Sequence, residues 1–122
     1  MRVVKELVAI NRVIAALEHA GYAVDMEHDH FPYGFYHDNN HALLCTTSTH
    51  LSIAYIGEDG ELYEQYVGRA DCSAKDQFSP REGAQIAFGR AISAMSKELG
   101  REYLSNLIED YEIFMEMVEQ SD

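Results

Sequence analysis

Tryptophan is missing from this chain of 122 residues, and cysteine and proline occur only twice each. Two cysteines, Cys45 and Cys72, are too few to staple a disulfide scaffold, so stability has to come from a packed core. Each lies in or beside an apolar strand pattern and reads as an ordinary half-buried thiol. Long apolar runs are also missing. None approaches the roughly 18–20 residues that a membrane span needs. The opening Met1-Arg2-Val3-Val4-Lys5-Glu6 breaks its apolar residues with charge, so it reads as an amphipathic helix rather than a signal peptide. A soluble cytoplasmic protein is the expectation. No linker, internal repeat or low-complexity tract interrupts the chain, and its length suits one domain spanning residues 1–122.

Basic residues are scarce. Nine Lys and Arg face 21 Asp and Glu, for a net charge of −12. Between Gly21 and Gly68 there is no Lys or Arg, while Asp25, Glu27, Asp29, Asp38, Glu58, Asp59, Glu61 and Glu64 all carry negative charge. From Lys97 onward two basic residues face eight acidic ones. Such a chain is repelled by nucleic acid and by anionic membranes, which excludes both as direct partners. Phosphate-cradling glycine loops and dinucleotide fingerprints do not occur, and nothing lines up as a catalytic triad. Binding is therefore expected, not catalysis.

The 47% hydrophobic content is enough for a core. Val3, Leu7, Ile10, Ile14 and Leu17 recur at helical spacing, with Val4 and Val8 widening the stripe, and Gly21 ends this first helix. A short strand follows at Tyr22–Met26. The stretch from Glu27 to Asn40, with Pro32, Gly34 and Asp38-Asn39-Asn40, reads as irregular. Strands are expected near 41–46, 50–56 and 61–70, the last two joined by a Gly57-Glu58-Asp59-Gly60 hairpin. Ser79-Pro80-Arg81-Glu82 is a capping box opening a helix that runs to Leu99 and stops at Gly100. Its Gly83, Ala84, Ala87, Ala91 and Ala94 form a small-residue stripe suited to close packing on a sheet. A last helix from Arg101 to about Glu119 has Leu104, Leu107, Ile108, Tyr111, Met115 and Val118 on one face. The order predicts an α+β fold: an N-terminal helix, an antiparallel meander of about four strands, and two C-terminal helices packed on it.

Three site readings compete. Two acidic surfaces suit a basic protein partner: Glu109, Asp110, Glu112, Glu116 and Glu119 on the last helix, and Glu58, Asp59 and Glu61 at the hairpin. The basic residues Arg69, Lys75, Arg81 and Arg90, with Phe78 and Phe88, are the alternative set, for a small anionic ligand. Arg90 is also placed to pair with a carboxylate on the neighbouring acidic helix. The third is His28, His30, His37 and His41, near Asp25, Asp29 and Asp38. These are possible metal ligands whose spacing matches no zinc pattern, so no metal or other cofactor is expected. Cys72 stands seven residues before the helix cap, too far in sequence to assume activation by it.

Gly68-Arg69-Ala70-Asp71-Cys72 leads into Lys75-Asp76-Gln77-Phe78 and then Ser79, Gly83-Ala84-Gln85-Ile86-Ala87-Phe88-Gly89-Arg90-Ala91. This strand–turn–helix module, about a fifth of the chain, resembles one in small accessory proteins of phages and prophages. The resemblance implies an anti-defence protein acting in the bacterial host cytoplasm. One form is an anti-CRISPR-like inhibitor whose acidic, nucleic-acid-mimicking surface binds a host defence protein. Another, similar to Thoeris or CBASS anti-defence sponges, is an oligomer that sequesters a cyclic nucleotide signal. Tyr103, Phe114 and Met117 flank the apolar stripe of the last helix, so a homodimer or higher homo-oligomer is expected.

Overall fold

A computed structural model of the protein describes residues 2–36 and 44–120. Six elements follow in order: α1 (Arg2–His19), β1 (Tyr22–Tyr36), β2 (Leu44–Ile56), β3 (Leu62–Ser73), α2 (Pro80–Leu99) and α3 (Arg101–Gln120). The strands form an antiparallel sheet in the order β1-β2-β3. The α+β class and the placement of all three helices are as expected. The strand count differs among the described residues: from Leu44 on, the strands expected at 41–46 and 50–56 run together as one continuous β2. The segment expected to be irregular is also strand as far as Tyr36. It pairs in unbroken register with β2 from Tyr22↔Tyr55 to His30↔Thr47, then shifts before Phe35↔Cys45. Pro32 and Gly34 (φ 76°) fall within that shift, where lost pairing and a left-handed backbone are tolerated. The Asp38-Asn39-Asn40 turn, His37 and His41 lie outside the described residues, as do the side chains of Val3, Val4, Leu7 and Val8.

Local chemistry sets the element ends. The amide of Gly60 (φ 82°) donates to the Gly57 carbonyl (3.0 Å) and that of Gly57 to the Glu61 carbonyl (2.9 Å), closing the hairpin. Ser79 is extended at φ −117°, and its Oγ accepts from the Glu82 amide at 3.3 Å, with Pro80 opening the helix. Gly100 (φ 93°) ends α2 with its amide on the Ser96 carbonyl (2.8 Å).

The pleat assigns the side chains of each strand to two faces. Leu51 and Ile53 of β2 and Tyr66 and Ala70 of β3 meet Ala87, Ala91 and Met95 of α2, together with Ala16 and Leu17 of α1 and Leu104 and Leu107 of α3. Leu17, Leu51, Ile53 and Met95 are fully buried, each worth roughly 1.5–3 kcal/mol of burial. Burial, then the Glu98 carboxylate, pushes the Tyr66 phenol up. At the end of the sheet Tyr22 and Tyr103 share a hydroxyl hydrogen bond of 2.8 Å, joining β1 to α3.

The expected small-residue stripe does bring helix and sheet together, except that Ala94 is exposed. The closest approach is at Gly68, where an added Cβ would overlap the carbonyl oxygen of Ala87 and stand 2.7 Å from the Ala91 amide. Both obstacles are helix backbone, which cannot yield by a rotamer change. Gly89, by contrast, faces open space on α2. In urea denaturation, Gly68→Ala is expected to lose about 2–3 kcal/mol and Gly89→Ala to gain roughly 0.5–1 kcal/mol. Equal effects from the two would mean that α2 does not lie against β3 as described.

Candidate functional site

On the sheet face opposite the helices the register builds a three-by-three grid. Asp25, Ser52 and Val67 stand abreast, then Glu27, His50 and Arg69, then Asp29, Ser48 and Asp71. The β1 column is wholly acidic. Asp25, Glu27 and Asp29 are exposed and, with His50, Ser52 and Val67, line a shallow depression of about 440 Å³. The only guanidinium of the grid, on Arg69, is engaged by Asp71 (Nε–Oδ1 2.7 Å) and lies 5.2 Å from the Phe35 ring centre. Buried Ser48 donates to the same carboxylate oxygen at 2.9 Å and sits 3.1 Å from His50 Nε2. With its proton on Asp71, the Ser48 hydroxyl is left to accept from the imidazole N–H. This serine is tied into a structural network instead of being presented as a nucleophile.

The acidic residues expected to form a site are separated. Glu58, Asp59 and Glu61 are exposed together at the hairpin tip. There Asp59 accepts from the Tyr63 hydroxyl (2.5 Å) and the Glu61 amide (3.0 Å), which hold its carboxyl below the usual range, the Tyr63 bond foremost. On α3, Glu109, Glu112, Glu116 and Glu119 recur at helical spacing as one exposed stripe, with Glu112 3.7 Å from Arg12 of α1. Asp110 points elsewhere, into a groove with His19, Ala20 and Tyr103. Beyond Tyr111 the apolar face of α3 is itself exposed at Ile113, Phe114, Met117 and Val118, although Phe114 stacks on His19 at 4.4 Å between ring centres.

The basic set does not form one pocket. Arg90 Nη1 donates to the Arg69 carbonyl, in place of the expected carboxylate on α3, and Arg69 is paired with Asp71. Lys75 and Arg81 are exposed, while Phe88 packs against the core. Phe78 anchors the turn before α2, its ring edge-on to His28 at 5.4 Å. It also lines a cleft of about 500 Å³ between the end of β3 and the first turn of α2. The charged side chains at that cleft are Asp76 and Glu82, the wrong sign for an anion, while the Asp71 carboxylate turns to Arg69 and Ser48 on the other face. Cys72 lines it too, beside Ser79 and Gly83, so the fold does bring this thiol to the helix start. Its Sγ lies 3.6 Å from the Ser73 carbonyl, and among the described residues no histidine lines the cleft.

The pleat also divides the histidine-rich stretch. His28 and His30 project to the helix side, bonded to Thr49 (2.7 Å) and Thr47 (3.4 Å), while Asp25 and Asp29 project to the opposite face. Among the described residues no three His, Cys, Asp or Glu side chains gather as a metal site. The acidic row on β1 is the feature that sequence reasoning did not single out. Its signal was the alternation Asp25-x-Glu27-x-Asp29, masked by the assumption that the strand stopped at Met26. Among the described residues no helix is long and apolar enough to cross a membrane.

Burial pushes the Cys45 thiol up, whereas Cys72 lines the open cleft. At mildly alkaline pH, Ellman's reagent is therefore expected to modify one thiol per native chain, mapped by mass spectrometry to Cys72, with Cys45 reacting only on unfolding. Prompt native labelling of Cys45 would contradict its burial. Tyr63→Phe removes a hydrogen bond to the charged form of Asp59, so its carboxyl should titrate at higher pH in a carbon-detected NMR titration. An unchanged midpoint would remove Tyr63 as the cause.

No protein-family model matches this chain, and no curated protein or solved structure matches it.

Proposed function

We propose that this chain is a non-enzymatic binding protein that docks an acidic, nucleic-acid-like surface onto a positively charged partner, in the manner of a phage-encoded inhibitor of a host defence protein. The observation that carries the reading is the exposed row Asp25, Glu27 and Asp29 on one face of β1. Alternate residues of a strand stand about 6.6 Å apart. That is a charge spacing of the same order as successive phosphates along one nucleic-acid strand. The one guanidinium beside the row is already engaged by Asp71, so among the described residues no Lys or Arg is shown neutralising it. A basic groove that normally holds nucleic acid would be steered to such a surface over long range, and the encounter would weaken as salt rises. The stripe on α3 and the hairpin tip supply further negative charge around the same chain. A nucleotide sponge draws less support from this geometry, because Arg69 and Arg90 are engaged within the fold and the cleft beside Phe78 is lined by carboxylates.

Expression of the chain in bacteria carrying nucleic-acid-directed defence nucleases is expected to restore phage plating. The Asp25→Lys/Glu27→Lys/Asp29→Lys variant should lose at least about tenfold of that effect. Reversal of Glu109, Glu112, Glu116 and Glu119 serves as the comparison. A larger loss from the α3 variant would move the docking surface to that helix. Full activity in both variants would refute the acidic-docking reading.

A further inference from the structure

The helix layer does not cover the whole sheet. α2 packs on β2 and β3, and only Tyr22 and Val24 of β1 reach the core. From Asp25 to Tyr33 every β1 residue is exposed, including Met26, Phe31 and Tyr33, the last at 98%. Among the described residues no strand pairs with the outer edge of β1. Among the described residues the stretch from Asp25 to Tyr33 is therefore exposed on both faces and open along one edge, with β2 as its pairing partner and His28 resting against Phe78. The outer edge of β3 is treated differently, since Arg90 reaches across from α2 to occupy the Arg69 carbonyl.

An open edge is a template for another strand, and its side chains determine which strands can join. A second copy is disfavoured by charge. Antiparallel pairing of two β1 strands about Glu27 would set Asp25 against Asp29 and Glu27 against Glu27, like charges directly opposite. An extended segment with Lys or Arg at alternate positions meets the opposite situation, with a cation facing each of Asp25, Glu27 and Asp29. Its intervening side chains would lie beside Met26 and His28 on the other face, a setting for β-branched or apolar residues.

Building on the acidic-docking reading, we infer that the free edge of β1 takes up an extended, alternately basic segment of the partner as a fourth strand of the sheet. Main-chain hydrogen bonds along the edge supply affinity, and the carboxylate row selects register and partner.

The test uses the full chain and a short synthetic peptide alternating Lys with Val and Thr. Controls are a scrambled peptide of the same composition and the alternating peptide with backbone N-methyl groups. Calorimetry and amide hydrogen exchange are the readouts. The alternating peptide is expected to bind, to slow exchange of β1 amides in Asp25–His30, and to lose about tenfold or more in affinity on scrambling or N-methylation. Asp25→Asn/Glu27→Asn/Asp29→Asn should weaken it similarly while leaving the far-ultraviolet circular dichroism unchanged. Equal binding of the N-methylated peptide would overturn strand addition while leaving acidic docking intact. So would self-association of the free chain with protection of β1. Absence of binding even at low salt would overturn strand addition as well, and acidic docking falls separately if both charge-reversed chains keep their effect on phage plating.

Discussion

The contact on which the architecture turns is the approach of α2 to β3 at Gly68. With no side chain at that position, the backbone of Ala87 and Ala91 settles directly against the strand. The small side chains of Ala87 and Ala91 then let Leu51, Ile53 and Tyr66 fill the space around them. A helix seated this closely over β3 also reaches β2, and α1 and α3 close the core at the Tyr22 end. Close packing at one strand thus leaves another uncovered. The consequence, among the described residues, is a sheet whose first strand is exposed from Asp25 to Tyr33 and depends mainly on its pairing with β2.

Charge is arranged around that asymmetry. The pleat of β1 sends His28 and His30 to hydroxyl partners on one side and three carboxylates to the other. A run that mixes histidine and aspartate in sequence becomes two chemically distinct faces, and this removes the most tempting metal reading from the described residues. On the carboxylate side, Ser48, His50, Arg69 and Asp71 are joined in one hydrogen-bonded chain. Such a network rigidifies the β2 and β3 columns of the grid and leaves the β1 column to face solvent. An exposed strand with like charges repeated along one face is protected against its own copies, and the same charges make it selective for a basic visitor.

Much of the fold could be read from local chemistry. The capping box at Ser79, the hairpin at Gly57–Gly60 and the stop at Gly100 each depend on residues within a few positions of one another, and each is where the pattern placed it. The reading failed for Glu27–Tyr36. Pro32, Gly34 and a density of polar residues are turn signals on their own, and they are outweighed by a partner strand that pairs with every residue through His30. For the same reason the two expected strands on either side of Thr47-Ser48-Thr49 merge. Polar residues look like a break in isolation, yet Thr47, Ser48 and Thr49 are buried and bonded to side chains on neighbouring strands.

By itself the sequence determined the class, the helices, the hairpin and the excess of negative charge, because periodicity, capping and composition act over short spans of chain. Only the tertiary structure decided that Asp25, Glu27 and Asp29 form an exposed row, that Arg69 and Arg90 are engaged within the fold, and that Asp110 leaves the α3 stripe. These depend on which strand lies beside β1 and where α2 crosses β3. Pairing between segments tens of residues apart has no signature in either segment alone.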